Sequence, residues 1–314
     1  MVNYTLEDVI RIKDELKDYS LNEDVTKVLK RLTELLGVDT YQKSRYNKKD
    51  KSQNNEDIAW KKQQMFKKTV FVKKSIIDEK FDILRGMLNK LSQKNFEDQK
   101  EKILLSIKDI YDHVNDADNE ESPALTKEEM TEKIIDLLFL VIINNRFFVN
   151  LYADLYILIV ENHMQYDEYI IKFLQKYDKL VDEIEYCDPD VDYDKYCVIN
   201  KKNEERKSLL SFLIHCVERD LCSFNDVYDI VNNRIFVQFE KNIEDESTTA
   251  INEEIIENMS VFITVGKELI NKNVIKYSIT EQITKYSKMK GTEKPGFSNR
   301  IRFKCMDLVE ELKK

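Results

Sequence analysis

The sequence predicts an all-α fold, with helix pairs stacked into an α-solenoid of about five pairs behind a short N-terminal extension. Three observations lead there. Only five of the 314 residues are Gly and three are Pro, while Lys, Glu, Asp, Leu and Ile are plentiful, leaving few turn residues for a sheet-based fold. Apolar residues recur at three- and four-residue spacing from about Met65 onward. The apolar stretches also come in pairs of roughly forty residues, as stacked helical hairpins require.

Tyr4 to Leu16 carries Val9, Ile10, Ile12 and Leu16 on one side, a short amphipathic helix that needs a partner to be stable. A second helix is expected from Val25 to Leu36, with Gly37 placed to cap it. Tyr41 to Lys62 is polar, lysine-rich and aperiodic, and reads as a flexible connector with Ile58, Ala59 and Trp60 as an isolated sticky point. Beyond it, Phe81, Leu84, Leu88 and Leu91 share a face, and Ser92 is placed to cap the helix of Phe96, Ile103, Leu104, Ile107 and Ile110. Thr126 with Glu129 makes a capping box for the apolar helix through Ile143. Helices through Phe148 to Ile159 and Ile170 to Val181 follow. After an acidic loop the pattern resumes at Leu209, Leu210, Leu213, Ile214 and Val217, then at Val227, Ile230 and Val231. Asn242 to Asn252 reads as a loop, and Glu253 to Leu269 as a helix.

The formal charge is −9, which argues against a protein coated in nucleic acid, yet the charge is segregated. Lys43 to Lys74 is strongly basic and Asp182 to Asp194 strongly acidic. Lysine runs of this kind serve as solvated connectors, but Tyr41, Tyr46, Trp60 and Phe66 interleave with this one, as single-strand RNA binding would use. Both readings stand. No apolar run reaches the length of a membrane span, and the N-terminus lacks a basic flank and apolar core, so a cytoplasmic protein is expected, in the host cytoplasm if viral. The five cysteines form no C-x-x-C pair and are expected to be reduced and mostly buried.

Catalytic chemistry finds little support. His215 and Cys216 are adjacent on a helix, so their side chains diverge. There is no Gly-rich phosphate loop. Asp188, Asp190, Asp192 and Asp194 alternate like calcium ligands, but Tyr193 stands where the loop needs Gly. No enzyme, catalytic residue, metal or cofactor is expected.

Leu84-Arg85-Gly86-Met87-Leu88-Asn89-Lys90-Leu91-Ser92-Gln93-Lys94-Asn95-Phe96 and, about two hundred residues later, Phe297-Ser298-Asn299-Arg300-Ile301-Arg302-Phe303 resemble the two ends of the middle domain of translation initiation factor 4G. Ile134 to Phe139 and Thr264 to Leu269 resemble further family segments, in family order, so the resemblance covers about residues 80 to 312. Ser208 to Cys216 keeps the family's apolar spacing but lacks its two glycines and its Arg. The resemblance implies a HEAT-repeat domain at 76–314, behind a helix at 1–20 and a basic, partly disordered linker at 21–75. It also implies a translation-initiation scaffold, monomeric within a complex.

In that family the positions of Leu88, Leu91 and Phe96 help dock a DEAD-box helicase of the initiation factor 4A type, and Arg300 and Arg302 fall at the second helicase contact. Tyr4-Thr5-Leu6-Glu7-Asp8-Val9-Ile10 resembles the motif that seats a helix on the cap-binding protein, initiation factor 4E, through Tyr4, Val9 and Ile10. Lys48, Lys49, Lys61, Lys62, Lys67 and Lys68 are the residues expected to touch mRNA. Two other readings remain: a repressor that sequesters the cap-binding protein, and a related middle-domain protein of mRNA decay or nuclear cap binding.

Overall fold

A computed structural model describes residues 11, 22–35, 75–115, 126–163, 166, 168–291 and 293–313, and all of their regular secondary structure is helical. The chain divides into two compact units, Met1–Phe71 and Val72–Lys314. In the first unit, α1 spans Glu23–Leu35, inside the segment expected to be a linker. Asn22 accepts the Asp24 N–H, and Glu23 and Asp24 place negative charge at the helix start, where it opposes the backbone dipole.

The second unit holds α2 (Ile76–Asn89), α3 (Phe96–Asn115), α4 (Lys127–Asn144), α5 (Val149–Asn162), α6 (Tyr169–Asp182) and α7 (Tyr193–Val217). It continues through α8 (Phe224–Ile230), α9 (Val237–Asn242), α10 (Thr249–Val265), α11 (Lys267–Asn271), α12 (Lys276–Lys288) and α13 (Asn299–Lys313). Neighbours in sequence pack as hairpins in α2/α3 and α12/α13. The expected capping box at Thr126 and Glu129 is formed, with both reciprocal hydrogen bonds present.

Helix α7 organises this unit. It is 25 residues long and packs against α4, α5, α6, α8 and α10. From Arg206 to Ile214 every residue is buried, so its polar side chains must find partners inside the protein. Arg206, fully inaccessible, donates from Nε to the Leu180 carbonyl (2.7 Å), which also takes the Glu183 N–H, and from Nη2 to the Glu183 carbonyl (3.3 Å), both at the end of α6. Its charge is balanced by Glu254 on α10, which Lys207 also approaches at 3.6 Å. Burial lifts the Glu254 carboxyl above its usual range even though both cations pull it down. Ser208 donates to the Ile142 carbonyl at 2.6 Å and ties α7 to α4.

A second buried network joins α3, α4 and the turn before α6. Thr131 donates to the Lys127 carbonyl, so it accepts from Tyr111 Oη (2.7 Å), which in turn accepts from Tyr166 Oη (2.6 Å). His163 lies against both rings, at 5.6 and 6.1 Å between centroids. Burial holds its pKa below the ordinary 6.5.

Three boundaries differ from expectation. The acidic loop is shorter than its charge suggests, because α7 begins at Tyr193 with Asp192 as its cap, accepting the Lys195 N–H at 2.9 Å. Between α8 and α9 the chain stays helical through a π turn, Val231–Phe236, from which Arg234 reaches Asp178 and Asp182 of α6. The expected loop from Asn242 to Asn252 shrinks, since Glu246–Thr248 is a 3₁₀ turn and α10 starts at Thr249. Thr248 donates to the Asn242 carbonyl there, and Asn252 is buried.

Replacing Arg206 by Met strands the Glu183 carbonyl, removes one of the two bonds to the Leu180 carbonyl and leaves Glu254 with Lys207 as its cation. The expected loss is about 3 kcal/mol in urea unfolding, with part recovered when Glu254→Gln is added. For His163, a folded-state pKa below the unfolded one means that its share of stability is complete above about pH 6.5 and is lost as pH falls through the depressed value. Stability of the wild type measured from pH 8 to pH 5 should therefore decline on the acid side, and His163→Phe should flatten that decline.

Candidate partner-binding surfaces

The turn between α2 and α3 is built by Asn95. Its Oδ1 accepts the Ser92 N–H at 2.8 Å and its Nδ2 donates to the Lys90 carbonyl at 2.8 Å, so Asn95 and not the Ser92 hydroxyl shapes the start of α3. Tyr152 of α5 donates to the Leu88 carbonyl and holds the corner from beneath, its own pKa pushed by burial to about 12.

This construction decides what the corner can offer. Leu88 is 0 % exposed and Leu91 2 %, so both belong to the core, and the expected helicase-docking role is corrected for them: their apolar surface is already covered by neighbouring helices. Phe96 is half-buried against the same core, with Lys100 Nζ 5.8 Å from its ring centre. The exposed side chains of the corner are Asn89, Lys90, Gln93 and Lys94, which hydrophobic periodicity could not single out.

The start of α13 is the second surface. Ser298 accepts the Ile301 N–H at 3.3 Å and donates to Glu253 at 2.8 Å, and Arg300 pairs with the other Glu253 oxygen at 3.0 Å. Arg302 reaches the Ser287 carbonyl at 3.4 Å near the end of α12, and Lys304 pairs with Glu257 at 2.9 Å. Both arginines are thus engaged with neighbouring helices, Arg300 by charge complementation with α10 and Arg302 through a backbone carbonyl of α12. Just ahead of this row, Gly296 lets two turns meet: a Cβ there would stand 2.5 Å from the Asp245 carbonyl oxygen and 2.7 Å from that of Asn242. Its own N–H donates to the Ile243 carbonyl, and Asn252 donates to its carbonyl at 2.9 Å.

What α13 leaves uncovered is an apolar pair. Phe303 is 58 % exposed and Met306 44 %, three residues apart on one face and beside Arg300. Phe303 ends the string that carries the resemblance, so its place was marked in the sequence although its exposure was not.

The remaining groups singled out from sequence have structural uses. Asp188 accepts the Asp190 N–H in a turn and Asp192 caps α7. His215 Nδ1 lies 2.8 Å from Glu218, whereas Cys216 points into the core, where burial raises its thiol well above the ordinary range and keeps it protonated. Cys305 is buried too, Cys187 and Cys222 are partly covered, and Cys197 is exposed, against the expectation of mostly buried thiols. No group of three or more ligating side chains suited to a metal occurs among the described residues. Tyr4, Val9, Ile10, Lys48, Lys49, Lys61, Lys62, Lys67 and Lys68 lie outside the described residues. Comparison with protein-family models, curated proteins and solved structures returns no match.

The two surfaces separate in a mutational test. Leu88→Ala should destabilise the protein by about 3 kcal/mol through a core cavity. Phe303→Ala with Met306→Ala should leave the urea midpoint within about 0.5 kcal/mol of wild type.

Proposed function

We propose that this protein is a non-catalytic scaffold of translation initiation, with a HEAT-type helical domain that holds a DEAD-box helicase. An N-terminal helix captures the cap-binding protein, and the basic connector touches mRNA. The observation that supports this reading best is the exposed pair Phe303 and Met306 on α13. It falls within and directly after one of the two strings that resemble the initiation factor 4G middle domain, and it is set beside Arg300 at the surface. Large apolar side chains left in water next to a fixed cation are the usual centre of a protein interface. The hairpin pairing of α2/α3 and α12/α13 is compatible with stacked repeats.

In this reading the helicase is held by contacts to both of its lobes. A scaffold that binds the closed arrangement more tightly than the open one shifts the helicase toward it, without taking part in ATP hydrolysis. The α2/α3 corner contributes through Lys90 and Lys94 at its rim, while Leu88 and Leu91 shape it from within.

Calorimetric titration of the full chain with a DEAD-box helicase of the initiation factor 4A type tests the proposal. Micromolar or tighter binding is expected, weakened about tenfold or more by Phe303→Ala with Met306→Ala at unchanged stability. Unaltered affinity of that variant would remove α13 from the interface. A peptide of the first twenty residues should become helical on binding its cognate cap-binding protein and lose binding with Tyr4→Ala; absence of binding removes that element from the scaffold.

A further inference from the structure

Helix α12 turns a basic face to solvent that none of the contacts above uses. Its buried side is Ile279, Ile283 and Tyr286, and its outer side, with the end of α13, borders a groove of about 620 Å³. Lys276, Lys285, Lys288 and Lys313 line that groove. Among the described residues none of these four lysines makes an ion pair, whereas Lys267, Lys294 and Lys304 nearby are each matched with a glutamate. Glu281 is the one carboxylate in the lining. In a chain of net charge −9 this is a concentrated positive strip.

Two further features narrow the ligand. Tyr277, 81 % exposed, stands at the same end of the groove as Lys276. From Lys276 to Lys288 the helix axis runs about 18 Å, so the cations form a track and not a point.

We propose that this groove binds a short stretch of single-stranded RNA, with phosphates along Lys276, Lys285, Lys288 and Lys313 and a base stacked on Tyr277. An acidic peptide could use the lysines but would gain nothing from an exposed aromatic face, whereas every base has a face to stack. The inference deepens the mRNA contact of the proposed function and rests on that reading for the nature of the strand. It places an RNA site on the folded domain itself, separate from the connector.

The test is fluorescence anisotropy of the full chain with a labelled oligouridylate of about twelve nucleotides, measured over a series of salt concentrations. Lys276→Gln, Lys285→Gln and Lys288→Gln together should weaken binding about tenfold and lower the slope of log affinity against log salt by about 2. Tyr277→Ala should weaken binding about fivefold or more with the slope unchanged, and Tyr277→Phe should restore it. All of these changes are at the surface, and circular dichroism confirms folding. A protein with Gln at Lys48, Lys49, Lys61, Lys62, Lys67 and Lys68 must retain the Tyr277-dependent component. If that connector variant alone loses all binding, the mRNA contact survives and the groove is overturned. If polyglutamate of matched charge competes as well as RNA and Tyr277→Ala has no effect, an acidic peptide replaces the strand and the proposal falls. Helicase affinity, measured on the same variants, should not move, so failure of the groove and failure of the scaffold reading are told apart.

Discussion

A helical stretch enclosed on every side must satisfy each polar group it carries from within the protein, and in the larger unit the Arg206 to Ile214 stretch of α7 imposes that condition on its neighbours. Arg206 cannot be buried unless α6 ends where its last carbonyls meet the guanidinium and α10 brings Glu254 within reach. An unpaired charge at this depth would cost several kcal/mol, so the pairing fixes relative positions as much as it stabilises them. Ser208 adds α4 to the same arrangement through the Ile142 carbonyl. The surfaces discussed above are held in place by the helices that this condition positions: α10 carries Glu253 and Glu257, which orient the start of α13.

How much of this was legible beforehand varies by element. The capping box at Thr126, the apolar helices through Ile143 and Ile159, and the hairpin of Leu84, Leu88 and Ile103 follow from local spacing, and the structure has them. Helix α7 was half hidden because its first half, from Tyr193 to Glu205, is polar and its apolar stretch begins only near Leu209. What makes the helix continuous is an aspartate cap and charge pairing with residues up to about fifty positions away, and neither is a periodic signal. The loop before α10 was overestimated for the same reason: Thr248 and Asn252 look like solvent-facing residues until the carbonyls of Asn242 and Gly296 are seen beside them.

The candidate surfaces were legible as strings but not as faces. Periodicity places Leu88 and Leu91 on an apolar stripe and cannot say whether a neighbouring helix or a partner covers it; α3 and α4 lie against α2, and its stripe is closed. Phe303 carries the reverse lesson, an aromatic at helical spacing that no helix covers. The α12 groove was invisible to a reading that weighed charge along the chain, because its lysines are spread over a helix and gather only when Lys313 is brought alongside from α13.

Gly296 has a mechanical meaning beyond its geometry. The turn ahead of α13 is stitched to the turn before α10 by the Gly296 N–H to the Ile243 carbonyl, and to the first turn of α10 by Asn252 to the Gly296 carbonyl. A partner pulling on Phe303 would load these short bonds in parallel before it could peel the terminal hairpin away. Tension applied at the chain's last helix is therefore delivered to α10 and, through Glu254, to the charged centre of the domain, so that the terminal hairpin and the core should yield as one body under load.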